Sequence, residues 1–117
     1  MTKLTPAAMT RLAHQQIARI RQELTALDYV CSGTLLKRTK LCGKPNCRCA
    51  QDPAARHGPY YEWSHLAEGK LRHRVVSAQQ AAILRHAITN QRRLKKLLRK
   101  WEHETERLVD AVAAPKA

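Results

Sequence analysis

Apolar residues recur early in the chain at Ala13, Ile17, Ile20, Leu24 and Leu27, in alternating steps of four and three that bring all five to one side of an α-helix. Thr5 and Pro6 supply the start of that helix. A Thr hydroxyl accepts one of the backbone N–H groups orphaned in the first turn, and Pro at the next position has no N–H to leave unpaired. The pattern predicts a helix over 6–28, ending before Ser32 and Gly33. A longer stripe runs through Leu84, Ala87, Gln91, Leu94, Leu98, Trp101, Thr105, Leu108 and Val112, and ahead of it stand Ser77 and Gln80 at capping-box spacing. It predicts a heptad helix over 78–112, with a frayed tail at 113–117. Neither helix can bury its stripe alone, so the long one pairs with the first helix or with a second copy of the chain as a homodimer.

Between the helices the period shortens. Gly33–Leu41 is expected to form one strand, and the runs Tyr60–Leu66 and Leu71–Val76 flank Ala67, Glu68, Gly69 and Lys70 as the arms of a hairpin. If Leu66 pairs with Leu71, alternation places Tyr61, Trp63, His65, Arg72, Arg74 and Val76 on one face and Tyr60, Glu62, Ser64, Leu66, Leu71, His73 and Val75 on the other. The expected fold is α+β and mostly helical: an N-terminal helix, a three-stranded antiparallel β-region within 33–77, and a long C-terminal helix, forming a single domain over 1–117.

Composition supports this and adds a partner class. At 117 residues and 44% hydrophobic, with no Phe, two Trp and three Tyr, the core rests on aliphatic side chains that suit helix packing, and a large enzyme cleft is not expected. The formal net charge is +13. Residues 34–100 carry sixteen Lys plus Arg against Asp52, Glu62 and Glu68, a surplus of 13, while the flanks balance at six of each sign. An excess confined to one stretch points to a polyanion. No run of about 18 apolar residues suggests a membrane span, and the interrupted N-terminus does not resemble a secretory signal, so a cytoplasmic setting with no membrane partner is expected.

In a reducing compartment, cysteines crowded at 42, 47 and 49 suggest a metal rather than disulfides. Cys42, Cys47, Cys49 and His57 form a candidate structural zinc site with no open position for substrate water, and Gly43 and Pro45 favour the turn that would close it. His65 is an alternative fourth ligand. Reduced cysteines without a metal, or a redox role for a thiolate supported by Lys44 and Arg48, are the competing readings. The runs CGKPNCRCA and HGPYYEWSHLAEGKLRHRVV resemble a family of small uncharacterised proteins, of the domain-of-unknown-function type, over roughly residues 33–100. The resemblance implies that the three cysteines and His57 act as one unit. It also implies a nucleic-acid role, since such proteins are often encoded near transposases and other mobile elements.

The basic residues divide between two surfaces. Lys37, Arg38, Lys40, Lys44 and Arg48 lie on or beside the first strand and the cysteine loop, near the hairpin face that carries Tyr61, Trp63, Arg72 and Arg74. Cations neutralise phosphates and rings stack on bases. Equally, the aromatics can be core residues packed on the second helix, with the arginines reaching out. On that helix Arg92, Arg93, Lys95, Lys96, Arg99 and Lys100 follow one another without an intervening acid, a run that phosphate would relieve. A three-stranded sheet followed by a helix is similar, at the level of fold, to integrase arm-binding domains. No catalytic motif emerges. The expected function is a non-enzymatic nucleic-acid-binding accessory, DNA ahead of RNA, with a transposase or recombinase as a protein partner. The rivals are a helical protein-interaction module and a thiol or zinc sensor. Strandedness, base specificity and monomer against dimer stay open.

Overall fold

The structure, a computed structural model, describes residues 4–40 and 43–112. Its elements are α1 (Pro6–Thr25), β1 (Thr34–Lys40), β2 (His57–Ala67), β3 (Lys70–Val76) and α2 (Ala78–Ala111), so the expected helix, three-stranded antiparallel sheet and long C-terminal helix are all present. The described chain falls into two compact units: residues up to Asp28 with those from Asn90 onward, and Tyr29–Thr89. No helix among the described residues is long and apolar enough to cross a membrane.

In the first unit, Thr5 caps α1 by accepting from the Ala8 N–H at 3.1 Å, with Pro6 at the first helical position. Ala13 and Ile20 are buried and Ile17, Leu24 and Leu27 half-buried, the stripe read from spacing. The helix stops at Thr25 rather than at 28. The Ala26 and Leu27 N–H groups turn back to the carbonyls of Glu23 and Leu24 in a tight terminal turn, which keeps Leu27 on the stripe, and the Asp28 carboxylate accepts from the Asn90 amide at 2.9 Å.

The part of α2 in this unit buries Leu97 completely, Glu104 nearly so, and half-buries Leu94, Trp101 and Leu108. The expected positions Leu98, Thr105 and Val112 are exposed instead. Leu94, Trp101 and Leu108 lie on both the expected and the observed row. The neighbouring row that completes the face is Leu97, Glu104 and Ala111, one residue earlier in each heptad. Adjacent leucines at 97 and 98 leave hydrophobicity unable to choose between the two rows.

In the second unit, α2 opens on a complete capping box: the Gln80 N–H donates to Ser77 Oγ at 3.1 Å and the Ser77 N–H to Gln80 Oε1 at 2.8 Å. Ala81, Ala87 and Ile88 are buried on this stretch. The sheet runs in the order β1-β2-β3. Leu66 pairs with Leu71, Trp63 with Arg74 and Tyr61 with Val76, the register anticipated from alternation. Glu68 and Gly69 form a two-residue turn with φ of 54° and 78°, the left-handed pair that matches the twist of a tight hairpin.

The face carrying Leu35, Lys37, Tyr61, Trp63, His65, Arg72, Arg74 and Val76 is the one that meets the start of α2, where Val76 is 6% exposed. The aromatics Tyr61 and Trp63 are half-buried there. The opposite face leaves Leu66, Leu71 and Val75 largely in water. The strap before β1 is tied in by the Cys31 N–H donating to the Ala87 carbonyl at 3.2 Å and by the Tyr29 ring set edge-on to His86. Trp63 Nε1–H donates to the Ser32 carbonyl at 3.0 Å. That closure requires Gly33: its φ is +125°, and a Cβ there would stand 2.4 Å from the Ser64 carbonyl oxygen and 2.6 Å from Trp63 Nε1.

Candidate metal centre and basic surfaces

The cysteine loop is built from short turns rather than from hydrophobic packing. The Cys47 N–H bonds to the Lys44 carbonyl, the Ala50 N–H to that of Cys47 and the Asp52 N–H to that of Arg48, coiling the chain through a 3-10 turn at Arg48–Ala50. A second such turn, Pro53–Ala55, is capped by Asp52, whose carboxylate accepts from the Ala54 N–H at 3.0 Å. The chain then enters β2 at His57 and Gly58. Gly58 has a φ of +116°, and a Cβ on it would stand 3.0 Å from the Arg38 carbonyl oxygen, so this position of the HGPYY run is closed to other residues.

These turns gather Cys47, Cys49 and His57, whose donor atoms all lie within 4.8 Å of one another, close enough to hold a metal ion. Cys49 is buried, Cys47 half-buried and His57 exposed. Cys47 Sγ stands 3.3 Å from His57 Nε2. Tetrahedral zinc with ordinary Zn–S and Zn–N bonds sets a sulfur and a nitrogen ligand roughly 3.5 Å apart, close to the Cys47–His57 separation. Cys42, the fourth expected ligand, lies outside the described residues. His65 stands apart from the cluster: its ring stacks on Trp63 with centroids 3.6 Å apart and planes 9° from parallel.

Ion pairs thin the basic surface selectively. Arg38 reaches Glu62 at 3.9 Å, Arg48 reaches Asp52 at 3.7 Å, and Arg93 donates to Glu23 at 2.9 Å. Lys37, Lys44, Arg72 and Arg74 are exposed in the second unit. In the first unit Arg92, Lys95, Lys96 and Arg99 are exposed on α2 and make no ion pair with a carboxylate among the described residues. Of Lys40 only the backbone is described, opposite His57 at the end of β1, just past a shift of register after Arg38.

Sequence reasoning puts Glu62, Ser64 and His73 on one face without showing what they form. Ser64 Oγ lies 2.7 Å from His73 Nδ1, Glu62 Oε1 lies 3.4 Å from the same nitrogen, and Arg38 closes the group on Glu62. A hydroxyl–imidazole–carboxylate relay needs both ring nitrogens, so this arrangement is a polar cross-strand network rather than a nucleophile with its base. The register that pairs Ser64 with His73 and Leu36 with Glu62 is the signal that could have found it. The nearly buried Glu104, 3.7 Å from Arg107, is also unforeseen, because the heptad spacing places its row in solvent.

The chain matches no curated protein and no solved structure. Residues 10–86, which span most of α1, the cysteine loop, the whole sheet and the start of α2, match a family described as a domain of unknown function, DUF6788, and the protein belongs to that family.

Proposed function

We propose that the protein binds nucleic acid, DNA ahead of RNA, as a non-catalytic accessory of a mobile element or of its control, acting beside a transposase or recombinase. The observation that carries this reading is the row Arg92, Lys95, Lys96 and Arg99, four exposed cations on one stretch of α2 that form no ion pair with a carboxylate among the described residues. Cations held close together on a rigid helix repel one another, and a phosphate backbone relieves that repulsion while releasing its counterions. The total charge of +13 would also speed encounter with any polyanion.

In this reading Cys42, Cys47, Cys49 and His57 hold a structural zinc ion, which would fix the loop beside the sheet. The reach of the chain supports Cys42 as the fourth ligand: Lys40 pairs with His57, and Cys42 follows two residues later, a span of at most about 7 Å. The bound ion would supply folding energy and no reaction step.

The test is fluorescence anisotropy against labelled duplex DNA, single-stranded DNA and RNA across a salt series. Alanine at Arg92, Lys96 and Arg99 together is expected to flatten the plot of log K against log salt by about 2 to 3 units, roughly 0.7 to 0.9 for each phosphate no longer neutralised. An unchanged slope would put the binding surface elsewhere. Failure of the native chain to bind any of the three near physiological salt would overturn the reading.

One observation favours the protein-interaction reading instead: Leu98, Val109 and Val112, at 44%, 67% and 71% exposure, share one side of α2 and lie in water. If they form a helix–helix seam between two copies, light scattering will give twice the chain mass, and Leu98→Glu will return it to the single-chain value. A single-chain mass at every concentration would exclude that homodimer.

A further inference from the structure

We infer that the cleft between Trp63 and the start of α2 receives one unpaired nucleobase from a single strand. The inference rests on the nucleic-acid reading and names the substrate class for a second surface, separate from the basic row on the later part of α2. The cleft lies within the second unit and measures about 160 Å³. Its lining is Trp63 and Arg74 with Val76 from the sheet, and Gln80, Ile83 and Leu84 from the helix. Pockets for drug-sized ligands run from about 300 Å³ upward, so this one has room for a single planar group and little more.

The lining is arranged as a stacking site. The indole N–H of Trp63 is already committed to the Ser32 carbonyl, and His65 stacks on the ring at 3.6 Å, so the ring is held in a fixed plane with its polar edge satisfied. What it offers the cleft is aromatic surface. Base–aromatic stacking needs just such a platform and is indifferent to sequence, because every base has a π-face. Gln80 spends its carbonyl oxygen on the Ser77 N–H, which leaves the amide NH2 to donate to an oxygen or ring nitrogen on a base edge. Ile83, 54% exposed, stands among the lining residues with much of its apolar surface in water.

Charge decides between a base and an apolar side chain of a protein partner. Arg74 is the cross-strand neighbour of Trp63, and Arg72 and Lys37 share its face of the sheet, all three exposed. No acidic residue lies on that face among the described residues; Glu62 is on the other. An apolar side chain would leave these cations facing nothing, whereas a nucleotide brings the phosphate with the base. A base stacked and paired inside a duplex cannot enter the cleft without being extruded, so the occupant comes from a single strand.

Trp63 and Trp101 are the two tryptophans of the chain, so Trp101→Phe leaves Trp63 as the sole reporter. Titration of that full-length variant with oligothymidylate is expected to quench and shift Trp63 emission, and a duplex of equal length to do so far less. Ile83→Phe, at an exposed position, puts a bulkier side chain into the lining of the cleft without altering charge. It is expected to weaken oligothymidylate binding roughly 10- to 100-fold while leaving the salt slope unchanged. Salt-dependent binding of the strand with Trp63 emission unmoved and Ile83→Phe without effect would overturn the cleft and leave the nucleic-acid reading standing. No binding of any strand would remove both.

Discussion

If Cys47, Cys49 and His57 hold a metal ion as proposed, Cys49→Ala is expected to strip it from the purified chain and to unfold the cysteine loop, the largest single effect the structure suggests. Cys49 is 2% exposed and is one of three donors gathered within 4.8 Å by turns that bury little else. The core of the second unit is thin: besides Cys49, its buried residues among those described are Val76, Ala81, Ala87 and Ile88. Structural zinc contributes an apparent 10 to 16 kcal/mol in small zinc domains at neutral pH, on the order of the whole stability of an ordinary domain. On the zinc reading, losing a buried thiolate therefore removes the term on which this loop depends. Elemental analysis should show zinc falling from about one per chain to near none. Amide hydrogen exchange should show protection lost over residues 43–57 and weakened along β1, with α1 protected as before. Cys42→Ala run in parallel tests the fourth position, and the same loss of metal would identify Cys42 as a ligand. Full zinc occupancy in Cys49→Ala, or none in the native chain, would remove the metal from the account.

What the sequence makes legible is what local chemistry determines. Thr5 with Pro6, and Ser77 with Gln80, announce helix starts because caps are short-range, and all their expected hydrogen bonds are present. The pairing of Leu66 with Leu71 follows from a period of two and a turn containing Gly69. Spacing and residue type alone gather Cys47, Cys49 and His57, and they do converge.

The illegible part depends on tertiary choices. Both sheet faces carry a tyrosine and aliphatic residues, so the pattern cannot say whether Trp63 or Leu66 will be covered; the fold covers the Trp63 face. Nor can the linear charge run separate Arg93, which Glu23 of α1 claims, from Arg92, which no carboxylate claims among the described residues. The run of six cations on the long helix therefore overstates its free charge. The one-residue ambiguity at Leu97 and Leu98 has the same origin, since two adjacent leucines satisfy a hydrophobic pattern equally and only the packing against α1 selects one.

That ambiguity gives the second large effect. Leu97→Ala is expected to cost about 2 to 5 kcal/mol, because Leu97 is fully buried and its truncation strips apolar packing while leaving a cavity that a two-helix unit can only partly close. Leu98→Ala, one residue on and 44% exposed, is expected to stay within about 0.5 kcal/mol at concentrations where the chain is monomeric. Urea unfolding followed by helix signal measures both: the Leu97 variant should unfold at a lower midpoint without a change in slope, and the Leu98 variant should overlay the native curve. The reverse order would mean that α2 presents its other row to α1, with Leu98, Thr105 and Val112 inward. A Leu98 penalty that grows with protein concentration carries a different meaning, since a residue indifferent to the fold of one chain but costly at high concentration lies in an interface between two. The same pair of substitutions thus separates the core of the first unit from the helix seam that the interaction reading requires.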